Sequence, residues 1–197
     1  MKKNKLAIFV SGNGTNAEAI MKYFKDHPSI EVTMLLSNNP AAYALERAKK
    51  FGVPSKVFSR DELRGEDVVR WLTDAGVTHV VLAGFLLLVP DNLIKAYPNK
   101  IVNIHPALLP RYGGKGMYGM KVHEAVCASG DLTSGITIHL VNDRYDEGEV
   151  LAQKTIDIAP GDTPQQIADK VHSLEHKYYP EIIEEWVQPR IALDTRR

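Results

Sequence analysis

Leu6-Ala-Ile-Phe-Val10 runs straight into Ser11-Gly-Asn-Gly-Thr-Asn16, and how this junction is read decides the rest of the chain. The apolar run, carrying β-branched and aromatic side chains, suits a buried strand. The glycines after it permit a tight turn into a helix over Asn16–Lys25. Bare backbone with free N–H groups at a helix start is an anion site, and phosphate is its natural guest. Gly12-x-Gly14-x-x-Ala17 also fits a dinucleotide fingerprint. That site, however, needs an acid after the second strand for the ribose hydroxyls, and this chain offers Ser37-Asn38-Asn39. The plainer alternative is that the glycines only turn the chain.

Outward from this unit, short β-branched runs alternate with amphipathic segments, the pattern of a parallel sheet covered by helices. Strands are predicted at Val32–Leu36, His79–Ala83 and Ile101–Ile104, with a weaker one at Lys56–Phe58. Helices are predicted over Ala41–Phe51, Asp61–Ala75 and a short stretch after Pro90. Residues 105–119 then carry two prolines and four glycines without periodicity, which predicts a long surface loop. A helix follows at Met120–Ser129. The runs Gly135–Val141 and Val150–Ile158 read as an antiparallel pair joined by an acidic connector. Thr163, Pro164 and Gln166 form a capping-box start for a long last helix. The fold expected is a single-domain α/β structure: a doubly wound, mostly parallel sheet with helices on both faces and an antiparallel C-terminal strand pair. It occupies residues 1–187, with a poorly ordered tail at 188–197.

Composition narrows the function classes. Lysine plus arginine (24) balances aspartate plus glutamate (24) in 197 residues, so no global field draws in nucleic acid or an anionic membrane. The apolar run at residues 6–10 is shorter than the ~7–15 residues of a signal peptide core. No run reaches the ~18 apolar residues of a membrane span. The lone Cys127 excludes an internal disulfide framework, and a soluble, cytoplasmic setting is expected. The histidines and acids are read as showing neither His-x-x-x-His nor paired-cysteine spacing, and no metal site is expected.

Asn103 and His105 stand two apart at the end of a predicted strand and share a face. Pro106 stops the strand there. Ligands of open α/β sheets bind at that end, and an amide beside an imidazole suits a developing oxyanion. The alternative is a pair of satisfied polar groups at a strand end. The connector supplies four acids, Asp143, Asp146, Glu147 and Glu149. A carboxylate against His105 would raise its pKa and favour the imidazolium. The residues by themselves do not choose among the four.

Asn103-Ile-His-Pro-Ala-Leu-Leu-Pro-Arg-Tyr112, with Ser11–Asn16, Leu82-Ala-Gly-Phe85 and Tyr145-Asp-Glu-Gly148, resembles the phosphoribosylglycinamide formyltransferase family, in the same order as far as about Pro180. The Asn-Ile-His-Pro motif extends to a superfamily of formyltetrahydrofolate users that also holds methionyl-tRNA formyltransferases and formyltetrahydrofolate deformylases. Each of those is expected to carry an added domain for which 197 residues leave no room. The resemblance implies formyl transfer from 10-formyltetrahydrofolate, as co-substrate, to the amine of 5′-phosphoribosylglycinamide in purine (IMP) biosynthesis. It implies catalytic positions at Asn103, His105 and Asp146. Gly14, Thr15 and Asn16 would hold the substrate phosphate, with His172 and Glu175 beside the ribonucleotide. The folate would lie against Leu86, Leu87, Leu88 and Val89, Asn103, and the segment Asn142, Asp143, Arg144, Tyr145 and Asp146, with Arg60 or Arg64 near its tail. No metal is implied, and a monomer or homodimer is expected. Leu87 stands where some relatives have arginine, Glu147 where many have glycine, and residues 113–120 are longer and richer in glycine than usual. The rival readings are a deformylase acting without acceptor, and a non-catalytic phosphate- or nucleotide-binding module.

Overall fold

The first strand, β1 (Asn4–Val10), is buried along most of its length, and its alternation sorts the helices into two layers. Leu6, Ile8 and Val10 pack with Ala17 and Ile20 of α1 (Thr15–Phe24) and with Val171 and Ile183 of α7 (Pro164–Val187). Ala7 and Phe9 pack on the opposite face with Leu63 of α3 (Arg60–Arg64), Leu72 of α4 (Asp67–Asp74) and Leu93 of α5 (Asp91–Ala96). The coordinates are a computed structural model that describes residues 3–189. The tail expected from Gln188 onward therefore falls, from residue 190, outside the described residues.

The remaining strands are β2 (Ile30–Ser37), β3 (Ser55–Val57), β4 (His79–Leu82), β5 (Ile101–His105), β6 (Thr133–Leu140) and β7 (Val150–Asp157). They form one sheet in the order β3-β2-β1-β4-β5-β6-β7. The first five run parallel, and β6 and β7 are antiparallel to their neighbours. The order reverses beside β1, which opens a crevice between the carboxyl ends of β1 and β4. This is the doubly wound sheet with an antiparallel end that the sequence predicts. Two more helices, α2 (Ala44–Lys50) and α6 (Met120–Ser129), complete the layer shared with α1 and α7.

One expectation is corrected. The predicted helix over Asp61–Ala75 is two helices, α3 and α4. Ser59 caps α3 through a reciprocal bond with Glu62, and Gly65 ends it one turn later. The apolar period of Leu63, Val68 and Leu72 continues across the break, which hides it from pattern reading. The expected capping box of Thr163 and Gln166 does start α7. From that helix the buried Tyr179 hydroxyl donates to the carbonyl of Leu82, at 2.8 Å, and lies 3.3 Å from that of Val102, tying α7 to β4 and β5 just below the site.

Candidate active site

The crevice at the carboxyl ends of β1, β4 and β5 is a cleft of about 630 Å³. At one side Gly14 caps α1 with a left-handed backbone, φ 76°. A side chain there would stand 2.4 Å from Cβ of Ala44, so the close approach of α2 admits only glycine. Asn16 crosses to the last helix, its amide donating to Glu175 at 3.0 Å. Burial raises the Glu175 carboxyl above its ordinary range despite that bond. His172 sits one turn away, its Nε2 4.0 Å from Glu175. Gly14, Thr15, Asn16, His172 and Glu175 thus line one cleft.

At the other side β5 and β6 bring the polar groups together. Asn103 pairs across the sheet with His139, and the Asn103 amide lies 3.2 Å from His139 Nε2. His139 Nδ1 is 2.8 Å from the Leu140 carbonyl. A carbonyl only accepts, so Nδ1 carries a proton, and Nε2 lies within reach of both the Asn103 amide and the Asp146 carboxylate. The contact with Asn103 uses one N–H of its amide and leaves the other for a ligand. His105 Nε2 lies 2.7 Å from the Tyr112 carbonyl, so by the same logic Nε2 carries a proton and Nδ1 faces Asp146 at 3.5 Å. Asp146 also stands 3.6 Å from His139 and accepts from the Gly114 amide at 2.9 Å.

Burial pushes the Asp146 carboxyl up, but His139, His105 and the Gly114 amide together hold it below the usual carboxylate range. Asp146 is therefore ionised at neutral pH. His105 departs from the sequence expectation. Burial pushes its pKa down and outweighs the pull of Asp146 and of the Tyr112 carbonyl. At neutral pH this favours the neutral ring, and its imidazolium needs added negative charge nearby, such as an oxyanion.

Burial also lowers two other imidazoles, His79 on β4 and His123 on α6, to about 4 each. A histidine whose folded pKa lies below its unfolded value favours the unfolded chain once protonated. The melting temperature is accordingly expected to be flat above about pH 7 and to fall as pH drops from about 6.5 toward 4. Scanning calorimetry against pH checks this, and a flat profile across that window would contradict it.

The predicted folate wall, Leu86 to Val89, lines the cleft, as do Asn142, Arg144, Tyr145 and Asp146. Asp143 does not line it, and neither do Arg60 and Arg64, which belong to α3 on the layer with α4 and α5. His139 and the Gly114 amide escaped sequence reasoning. Both depend on partners far along the chain, although Thr137 and His139 do alternate with apolar residues. One ground for expecting no metal is corrected: His172-x-x-x-His176 is a His-x-x-x-His spacing, the one that helical metal pairs use. The two rings stack at 6.3 Å, and among the described residues no group of three or more His, Cys, Asp or Glu side chains is placed to hold a metal ion. No helix among the described residues is long and apolar enough to cross a membrane.

Sheet order and the crevice at the carboxyl ends of the strands define a doubly wound α/β protein with a ligand cleft. The formyl transferase family model matches residues 4–183, and the chain belongs to that family. It is 42% identical, over 96% of its length and 68% of the relative's, to the chloroplastic phosphoribosylglycinamide formyltransferase of Arabidopsis thaliana. It is 36% identical to the phosphoribosylglycinamide formyltransferase of Bacillus subtilis, over 92% of this chain and 93% of that one. The chain spans about two thirds of the plant relatives and nearly all of the Bacillus protein. A crystal structure of the Bacillus halodurans phosphoribosylglycinamide formyltransferase superposes with a TM-score of 0.85 at 32% identity, covering 98% of this chain and all of that one.

Proposed function

We propose that the protein transfers the formyl group of 10-formyltetrahydrofolate to the amine of 5′-phosphoribosylglycinamide, giving formylglycinamide ribonucleotide and tetrahydrofolate. The observation that carries this reading is the meeting of Asn103, His105 and Asp146 in the same cleft as the glycine turn. The turn suits the acceptor's phosphate, because its backbone N–H groups open a ten-residue helix. Asn16, His172 and Glu175 then stand beside the ribonucleotide. The apolar wall of Leu86–Val89 and the backbone of Asn142–Asp146 suit the flat pterin of the folate.

The neutral amine attacks the formyl carbon, and the carbonyl oxygen becomes an oxyanion beside Asn103 and His105. The free N–H of Asn103 donates to it, and Nε2–H of His105 exchanges the Tyr112 carbonyl for it. The charge that develops there raises the His105 pKa, so Nδ1 takes up a proton from solvent, Asp146 pairs with the resulting imidazolium, and the proton returns to solvent when the oxyanion collapses. The attacking nitrogen loses one proton through Asp146, and the departing folate nitrogen gains one, so the products form without a covalent enzyme intermediate. A cytoplasmic setting, action as a monomer or homodimer, and independence from metal and nucleic acid belong to the same proposal.

Release of tetrahydrofolate from 10-formyltetrahydrofolate, followed with and without the ribonucleotide acceptor, tests it. Turnover that depends on the acceptor is expected. Equal turnover in its absence would mean a deformylase, and none in either case would leave a binding module.

A further inference from the structure

We infer that His123 positions the acceptor: from the first turns of α6 it offers a ring nitrogen to the uncharged stretch between the acceptor's phosphate and its amine, a role that rests on the formyl-transfer reading above. His123 is only 2% exposed, and its Nδ1 is buried without a hydrogen-bond partner among the described residues. Leaving a buried polar atom unsatisfied is costly, and a benzene ring would fill the same space without that cost. A ligand in the cleft is the partner that this inference assigns to the nitrogen. The ring borders the cleft and meets His172 edge-on at 6.4 Å between centroids.

Its location follows from its neighbours. His172 belongs to the ribonucleotide side and His105 to the formyl side, and both act electrostatically on His123. Burial and these two imidazoles hold its pKa at about 4, so the ring is neutral at physiological pH. A neutral imidazole is poorly matched to a phosphate dianion and well matched to a hydroxyl or an amide. Asn16 adds to the pattern, because its Oδ1 is likewise buried without a partner among the described residues while its amide is held by Glu175. Two residues that line the cleft thus carry buried, unsatisfied polar atoms, and the substrate proposed for that cleft carries ribose hydroxyls and a carboxamide.

The test uses the wild type, His123→Phe and His123→Asn, with KM for each substrate and the melting temperature measured. The wild type must first show acceptor-dependent transfer, and its failure to do so would undo the functional reading rather than this one. With His123→Phe, KM for the ribonucleotide is expected to rise about 3- to 10-fold, the effect of losing one uncharged hydrogen bond. KM for the folate should not move, and the melting temperature should hold or rise, which a merely structural histidine would not allow. His123→Asn, whose amide falls near the position of Nδ1, should recover part of the affinity. A 2′- or 3′-deoxy acceptor separates the sources: a deoxygenation penalty that shrinks in His123→Phe assigns a ribose hydroxyl, and an unchanged penalty assigns the carboxamide. If His123→Phe is folded and keeps the wild-type KM for the acceptor, the inference is overturned.

Discussion

Asp146→Asn should cut formyl-transfer turnover by on the order of 10²–10³ while leaving the protein folded. Asparagine is the informative replacement because Asp146 has a left-handed backbone, φ 57°, which Asn tolerates better than most residues. It can still accept from the Gly114 amide, the contact that anchors the connector to the loop. What disappears is the negative charge facing Nδ1 of His105 and Nε2 of His139. His105 is already held down by burial. Without Asp146 its charged form loses the main group that favours it, so the oxyanion has to be met by Asn103 with a neutral ring. The loss should appear in kcat, with both KM values little changed, because the carboxylate acts on the reacting centre rather than on either substrate's binding group. Steady-state kinetics on the purified variant, with circular dichroism to confirm folding, decide the matter. Near-normal kcat would remove Asp146 from the mechanism.

The second large effect is expected at the opposite wall. Gly14→Ala forces a side chain into a left-handed N-cap and sets its Cβ 2.4 Å from Cβ and 2.9 Å from Cα of Ala44. The backbone penalty is about 1–2 kcal/mol and the overpacking adds about 1–3 kcal/mol. Unfolding in urea should show a stability loss of ~2–5 kcal/mol. As α1 and α2 separate, the turn that presents backbone N–H groups is displaced, and KM for the ribonucleotide should rise at least ~10-fold with KM for the folate nearly constant. Gly12→Ala is the companion variant. No atom lies within 4 Å of a Cβ built there, so it should fold as the wild type does. If both variants kept the wild-type KM for the acceptor, the phosphate would have to bind elsewhere.

The frame was legible in the sequence because buried parallel strands announce themselves as short β-branched runs and turns as glycine, asparagine and proline. Asn103 and His105 could be placed on one face from their spacing alone. Asp146 could not be singled out from Asp143, Glu147 and Glu149 without the resemblance, since a connector's conformation is set by what it packs on. In the structure a left-handed Asp146 turns inward to Gly114 while Asp143 stays off the cleft. His139 was hidden for a related reason. Its position opposite Asn103 is a matter of strand register, and register is a relation between segments rather than a property of either. Asp146 does pull the His105 pKa upward as the sequence implies, but the net shift is downward, because a sequence displays the partner of a titratable group and not the depth at which the pair lies. Ser59, Glu62 and Gly65 together spell a complete short helix, and that is the sequence signal for the break between α3 and α4.

The bond from Tyr179 to Leu82 at the end of β4, beside Val102 of β5, has a consequence for biosynthesis. Every side chain assigned here to the chemistry is polymerised before the helix that braces the strands beneath them. A nascent chain that has emerged only through residue 160 thus holds all the reactive groups but not the brace. Competence to react should arrive late, when the final turns of that helix clear the ribosome, and not in step with translation of the catalytic residues themselves.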